Sequence, residues 1–445
     1  MSARLLFDVT GLVAWYAFYR RPTGIQRVIE RILMAPAITE DERVIHVARF
    51  PGVADLLVID RDAIHGLADP HTNAASIRHL RRAYVGMMKQ ARLLDCLRTL
   101  EPFSWHYFAV TRLGLKSFQD ADFWPPADPS YVPPRPLGSA NGRDAFVNLG
   151  DFWWYTDQSR ALGRFKAQHG FTLVQMIHDL FPLSQSAWEP PLFKKKFSQQ
   201  FAGLAPQVDR WMVNSEYVRG ELTRHLGGLA GRKPIERVAM GWPVPPASVD
   251  MAGVLERHGL RAGGYFLQVG SFQPRKNHIV VARAAEHLRQ RHGTTFATCV
   301  FVGVKGWHDG PLMRELERSR SAAGAVRLLG EVTDGELAAL YRGALFTVYP
   351  SLAEGWGLPV QESLAFGVPC IASKAGAIPE AGRDLVVYVD PTDDAQVSAA
   401  IDRYLSDPDA LAAARAKIAA FLASQRLADW NDAARQVLNI AERSL

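Results

Sequence analysis

Pro350-Ser351-Leu352-Ala353-Glu354-Gly355-Trp356-Gly357-Leu358-Pro359-Val360-Gln361-Glu362 is the stretch that decides how this chain folds. The apolar run before it, Phe346–Tyr349, predicts a strand, and the periodic stretch Pro359–Phe366 predicts a helix. Proline suits a first helical turn, where its missing N–H costs nothing. Gly355 and Gly357 let the backbone approach a ligand, and a helix N-terminus carries partial positive charge suited to phosphate. Glu354 lies in the loop and Glu362 in the first turn, eight residues on, so both can face one pocket. Either glutamate alone reads equally well as a surface carboxylate or a group complementing the helix dipole. The whole string points to a ligand site.

Outward from it, strands and helices alternate. Tyr265–Gly270, Thr298–Val304, Val326–Leu329, Pro369–Ala372 and Val386–Val389 predict strands; His278–Gln290, Pro311–Ser321 and Asp334–Arg342 predict helices. Strands apolar throughout and separated by helices imply a doubly wound parallel sheet covered on both faces. Pro243-Val244-Pro245-Pro246 interrupts every pattern. Before it, Arg4–Val9, Ala145–Leu149, Thr172–Ile177 and Arg210–Asn214 predict further strands, and Ser215 an N-cap for a helix Glu216–His225. The opening MSARLLFDVTGLVAWYAF reads as a buried first strand rather than a signal peptide, because Asp8 interrupts it and no small-residue cleavage site follows. The loop through Arg20–Gly24 and a helical stretch Ile25–Leu33 come next. The chain therefore divides into an N-terminal α/β domain (1–244), a linker (245–262), a C-terminal α/β domain (263–425) and a terminal helix (426–445) that packs back on the first domain. Two such domains leave a cleft at the carboxyl ends of their strands, where ligands bind.

Three other groups of residues fall at strand ends. Arg275-Lys276, in Gly270-Ser271-Phe272-Gln273-Pro274-Arg275-Lys276-Asn277, puts two cations where a diphosphate would be gripped. Read alone, the pair is a solvated turn. His178-Asp179 follows the strand Thr172–Ile177 and reads as catalytic or as a satisfied core pair. Gly24, in Thr23-Gly24-Ile25, sits between strand and helix, where glycine is routine.

The chain has 445 residues, 48% hydrophobic and 22% charged, the balance of a globular enzyme. Its three cysteines, Cys96, Cys299 and Cys370, are far apart, which excludes a disulfide scaffold or a Cys-based zinc site. No apolar run is long enough to span a membrane. The formal charge is +6, and residues 1–250 carry all of it, with 30 Lys+Arg against 24 Asp+Glu. This is too mild for a nucleic-acid binder, and no basic stripe with interleaved aromatics occurs.

With these motifs in place, residues 265–392 resemble the C-terminal domain of the retaining, nucleotide-sugar-dependent glycosyltransferases of family GT4. Glu354 and Glu362 match the family's E-x7-E motif, and Pro274–Asn277 its PRKN element; Gly367-Val368-Pro369 and Gly376–Glu380 match further elements. In the first half, Asp8, Thr23-Gly24-Ile25, Ile177-His178-Asp179 and Val213-Asn214-Ser215-Glu216 are similar to members that build bacterial surface polysaccharides, whereas residues 50–145 match nothing. Ser271 stands where many members carry arginine, so the phosphate grip would rest on Arg275 and Lys276. The resemblance implies the GT-B fold, two Rossmann-like domains facing each other across a cleft. It implies that Glu362 holds the ribose hydroxyls and Glu354 the donor-sugar hydroxyls. Backbone amides of Gly355, Trp356, Gly357 and Leu358 would contact sugar and phosphates, backbone at Gly330, Glu331 and Val332 would carry the base, and Gly24 would approach the donor. His178 would sit against the anomeric centre.

What the resemblance implies for function is transfer of a hexose from a nucleotide sugar to a lipid-linked, lipopolysaccharide or capsule glycan, with GDP-mannose the first expectation for the donor. Cations and helix amides facing the leaving diphosphate lower the barrier electrostatically, so no metal is expected, although D-x-D occurs at Asp60–Asp62, Asp120–Asp122 and Asp407–Asp409. No enzyme nucleophile is evident, and a front-face mechanism is preferred. The rival readings are another GT-B enzyme, such as a nucleotide-sugar epimerase, and a catalytically silent glycan-binding scaffold. The expected location is cytoplasmic, with peripheral contact to the inner face of the plasma membrane. Two segments suit that contact: the basic, amphipathic Arg78–Arg98 and Leu192-Phe193-Lys194-Lys195-Lys196-Phe197.

Overall fold

The computed structural model describes residues 3–445 apart from 91–130 and the short stretches 20, 23, 51–52, 54, 69–70, 154, 156, 185–187, 294–295, 305–309 and 324. Two sheets carry the architecture. The first contains β1 (Leu5–Asp8), β2 (Val44–Ala48), β3 (Leu57–Val58), β4 (Arg135–Pro136), β5 (Ala145–Asn148), β6 (Thr172–Ile177), β7 (Arg210–Val213) and β8 (Ile235–Arg237). Their spatial order is β4-β3-β2-β1-β5-β6-β7-β8. The six strands in the spatial run β2-β1-β5-β6-β7-β8 are parallel, whereas at one edge β3 pairs antiparallel with both β2 and β4. The expected all-parallel sheet is thus corrected at that edge: the connection from β2 to β3, residues 49–56, is too short for the crossover that a parallel pair requires, so β3 returns antiparallel to β2.

The second sheet contains β9 (Tyr265–Val269), β10 (Thr298–Val302), β11 (Val326–Leu329), β12 (Thr347–Tyr349), β13 (Cys370–Ser373) and β14 (Val387–Val389). All pairs are parallel, in the order β11-β10-β9-β12-β13-β14. This is a doubly wound sheet whose strand order reverses between β9 and β12, the place where such folds bind ligands. In the first sheet the corresponding reversal lies between β1 and β5.

Three sequence readings need correction. The opening apolar stretch is not one strand: β1 ends at Asp8 and a helix, Thr10–Phe18, follows at once. Leu12, Val13, Ala14, Tyr16 and Ala17 are all buried, so the helix is apolar nearly all round and shows no 3.6-residue pattern. The Thr10 N–H donates to Asp8 Oδ1 at 2.9 Å, which places the break between the two elements. The stretch read as a linker carries a helix, Met251–Arg257, whose Leu255 packs in one core with Tyr265 and Leu340. Finally, the basic segment near Arg78 forms the helix Asn73–Gln90, but Arg81 is buried and donates from Nε to the Tyr16 carbonyl at 2.9 Å. Residues 91–98 of that segment lie outside the described residues, as do Arg20, Thr23 and Asp120–Asp122.

The helix Trp430–Glu442 packs into the core of the first domain through Ala433, Ala434, Val437 and Ile440. The chain therefore crosses between domains twice. At the crossing, Trp242 N–H donates to the Ala428 carbonyl at 2.8 Å. Gly241 lies against Trp430 there, and a Cβ would meet its backbone nitrogen at 2.6 Å.

Candidate active site

A cleft of about 880 Å³ runs between the domains, lined by the loops after β1, β6, β9, β11 and β12. Of the residues singled out from sequence, Gly24, His178, Arg275, Lys276, Glu331, Val332, Glu354, Gly355, Trp356, Gly357, Leu358 and Glu362 all line it.

The loops after β9 and β12 are built as one unit. Pro274–Lys276 forms a single 3₁₀ turn that ends at Asn277, which adopts the left-handed conformation (φ 55°). Asn277 Nδ2 compensates by donating to the carbonyls of Pro350 (3.2 Å) and Pro391 (2.7 Å). The Arg275 carbonyl accepts from Leu352 N–H (2.8 Å) and Ser351 Oγ (3.2 Å). The two cations are thereby held over Glu354. Lys276 Nζ is 2.6 Å, Arg275 Nη1 2.9 Å, Tyr349 Oη 2.9 Å and Ser351 Oγ 2.5 Å from Glu354 Oε1. Burial opposes the Glu354 charge, but Arg275 and Lys276 outweigh it and hold its carboxyl down at about 2. Burial also lowers the Lys276 ammonium, against the pull of Glu354. Arg275 Nε is buried with no hydrogen-bond partner in the protein, an orphan donor beside the cleft.

Glu362 lies at the start of the second turn of the helix Leu358–Ala365, whose N-terminus opens on the cleft behind Gly357. Its two oxygens are held from both domains. Arg27 Nη1 donates to Oε1 at 2.7 Å, and Tyr341 Oη donates to Oε2 at 2.8 Å.

The opposite wall comes from the first domain. His178 Nε2 lies 2.6 Å from the Leu149 carbonyl, so the proton sits on Nε2 and Nδ1 is an acceptor. Burial pushes this imidazole down to about 4, leaving it neutral near pH 7. Gly150, after β5, makes room for the ring: a Cβ there would meet Cδ2 at 2.6 Å. Burial raises Asp179, although Arg275 pulls it back. Burial and the neighbouring Asp179 raise Glu189 to about 7. The Arg275 guanidinium lies 5.1 Å from the Phe181 ring centroid.

The domains meet closely around the cleft. Ser215 Oγ donates to the Gly355 carbonyl at 2.9 Å. Glu380 accepts from the N–H groups of Glu216 and Tyr217, both at 2.9 Å, at the N-terminus of the helix Glu216–Leu226. On the other side, Arg21 pairs with Glu331 (3.7 Å) and Arg31 with Asp334 (2.7 Å).

The Lys194–Lys196 segment is corrected in part. It begins the helix Pro191–Leu204, and the helical turn directs Lys196 inward, where it is buried and lines the cleft. Leu192 is 80% exposed and Lys195 is exposed, so the outward face holds fewer cations than the sequence suggested. Asp407 Oδ1 caps the helix Pro408–Ser424, and Asp60 precedes the helix Arg61–His65. Among the described residues, no group of three or more His, Cys, Asp or Glu side chains is placed to hold a metal ion. Sequence reasoning missed Arg27, Tyr341, Tyr349 and Ser351. Arg27 and Arg31, one turn apart just after Gly24, were the available signal.

Residues 260–420 match the family model described as "Glycosyl transferases group 1". The C-terminal domain is a GT4-like group 1 glycosyltransferase domain. O-antigen chain mannosyltransferase B of Escherichia coli is 31% identical over 228 residues, covering 51% of this chain and 58% of that protein. D-inositol 3-phosphate glycosyltransferase of Nocardiopsis dassonvillei is 30% identical over 301 residues, covering 63% of this chain and 66% of that protein. The chain thus matches less than two thirds of the length of either relative. Anabaena HepE, solved with UDP and glucose, shares the fold with a TM-score of 0.62 at 14% identity, covering 98% of each chain. Sucrose-phosphate synthase of Thermosynechococcus elongatus gives 0.60 at 18% identity, covering 100% of this chain and 99% of that one. The fold is GT-B.

Proposed function

We propose that this protein is a retaining glycosyltransferase that moves a hexose from a nucleoside-diphosphate sugar to a glycan acceptor. The observation that carries the reading is the convergence of Arg275, Lys276 and Glu354 at the reversal point of the second sheet, beside the N-terminus of the helix Leu358–Ala365. Two cations and helix N–H groups suit a diphosphate whose charge grows as its bond to the sugar breaks. Glu354, fully ionised, accepts hydroxyls of the donor sugar. Glu362 accepts ribose hydroxyls, and backbone at Glu331 and Val332 carries the base. Neutral His178 presents Nδ1 to the sugar as an acceptor. Gly24 and the loop Gly355–Leu358 bring backbone close to the donor.

In the reaction, the bond from the anomeric carbon to the phosphate oxygen breaks with its electron pair leaving on the diphosphate. The acceptor oxygen bonds to the same face of that carbon. Its proton passes to the departing phosphate oxygen, so configuration is retained without an enzyme nucleophile. Similarity to O-antigen chain mannosyltransferase B favours mannose from GDP-mannose and a surface-polysaccharide acceptor. Among the described residues, no helix is long and apolar enough to cross a membrane. A lipid-linked acceptor would be met from the membrane surface by Leu192 and Lys195.

The test is turnover with GDP-mannose and lipid-linked glycan, reading nucleoside diphosphate release and the anomeric configuration of the product by NMR. An α-linked product from the α-linked donor supports the reading. An inverted product, or an epimerised free nucleotide sugar, overturns it.

A further inference from the structure

We propose that Arg27 is a donor-positioning residue: reaching from the first domain, it orients the Glu362 carboxylate for the nucleotide ribose bound by the second. The inference rests on Glu362 being the ribose ligand.

A carboxylate oxygen has two acceptor sites. Arg27 uses one on Oε1 and Tyr341 uses one on Oε2, at 2.7 and 2.8 Å. One site on each oxygen is left, which matches two vicinal hydroxyls. Accepting both at once requires the carboxylate plane to be fixed, and two flanking donors fix it. Tyr341 is buried and belongs to the same domain as Glu362, so its hold is permanent. Arg27 belongs to the helix Ile25–Leu33, which Val28, Ile29 and Ile32 anchor in the first domain's core. Its hold therefore exists only when the domains are together.

The neighbouring charges keep Arg27 in place without replacing it. Glu30 and Asp334 are the other carboxylates acting on it, yet Asp334 is paired with Arg31 and Glu30 accepts from Tyr16. Arg27 thus has Glu362 as its direct partner, and its side chain is three-quarters buried there. Losing it would leave the Glu362 carboxyl tethered at one oxygen only. The ribose contact would weaken, while contacts to the diphosphate and base would remain. The expected signature is selective: affinity falls only for nucleotides that have the ribose diol.

The experiment is calorimetric titration of GDP and 2′,3′-dideoxy-GDP into the full-length wild type, Arg27→Gln and Arg27→Lys, with thermal unfolding alongside. Expected is at least a tenfold preference for GDP in the wild type. Arg27→Gln brings that preference close to unity while dideoxy-GDP binds as before, and Arg27→Lys, which keeps a charge but not the planar donor, retains an intermediate preference. Equal weakening of both nucleotides in Arg27→Gln, or an unchanged preference, overturns the role of Arg27 alone. Where the wild type binds UDP rather than GDP, UDP and 2′,3′-dideoxy-UDP are compared in the same way. Binding of dTDP alone, which lacks the diol, overturns the ribose role of Glu362 and Arg27, and failure to bind any of the three overturns the glycosyltransferase reading itself.

Discussion

Gly355 lies so close to the backbone carbonyl of His178, across the domain boundary, that any Cβ at position 355 would overlap that oxygen. The glycine is needed for contact between domains rather than for turn geometry. Ser215 and Glu380 make their cross-domain hydrogen bonds on the same side of the cleft.

Gly355→Ala is therefore expected to hold the domains apart without disturbing either core. Sugar-nucleotide turnover should fall at least tenfold, about 1.4 kcal/mol of transition-state stabilisation. Small-angle scattering should show a larger radius of gyration than wild type. Unchanged turnover with unchanged dimensions would show that the closed contact is dispensable.

Glu354 is buried beside two cations, and its replacement should damage both stability and activity. Breaking a buried ion pair from one side costs about 3–5 kcal/mol, because the remaining charges lose their compensation. Since the Glu354 carboxyl is held at about 2 against an ordinary 4.5, its stabilising contribution is complete above pH 4.5 and is lost as pH falls towards 2. Glu354→Gln should unfold more readily at pH 7 and show a flatter acid limb between pH 4.5 and 2. Equal stability of the two proteins at pH 7 would contradict the arrangement.

Much of the second domain was legible in the sequence. The strand Val326–Leu329 was placed to the residue, and the others to within two residues. Parallel strands buried on both faces are continuous apolar runs, and each ends at a glycine, proline or charged loop that marks the boundary. The first domain was harder for physical reasons. The helix Thr10–Phe18 is buried nearly all round and so lacks amphipathic period, and β3 and β4 are too short to register as patterns. Lys196 reads in sequence as part of an outward, membrane-facing basic run because the helical turn that buries it acts at a spacing of three to four residues, not one. The pairing of Arg27 with Glu362 spans 335 residues and two domains, a relationship that no local pattern encodes.

Glu30 gives a pH dependence of opposite sign to Glu354. Burial raises it to about 7, although the Tyr16 hydroxyl donates to its carboxylate and opposes that rise. The folded protein therefore holds a proton that the unfolded chain releases between pH 4.5 and 7, and stability falls as pH rises through that window. Glu30→Gln should raise the unfolding midpoint at pH 8 and have little effect at pH 4.5. A variant less stable than wild type at pH 8 would show that the Glu30 charge is compensated.

Arg275, Lys276 and the helix N-terminus are proposed to carry the charge of the leaving diphosphate. Turnover in the presence of EDTA should therefore stay within about twofold of its value without it. Complete loss on chelation, restored by magnesium or manganese, would assign that charge stabilisation to a metal instead.

The donor site itself is tested most directly by calorimetric titration of GDP, UDP and dTDP into wild type and Lys276→Ala. One nucleotide should bind the wild type. Lys276→Ala should weaken it roughly 10- to 150-fold, the loss of a charge-assisted hydrogen bond of about 1.5–3 kcal/mol. Binding of equal strength to both proteins, or to neither, would contradict the assignment of this cleft to a nucleotide-sugar donor.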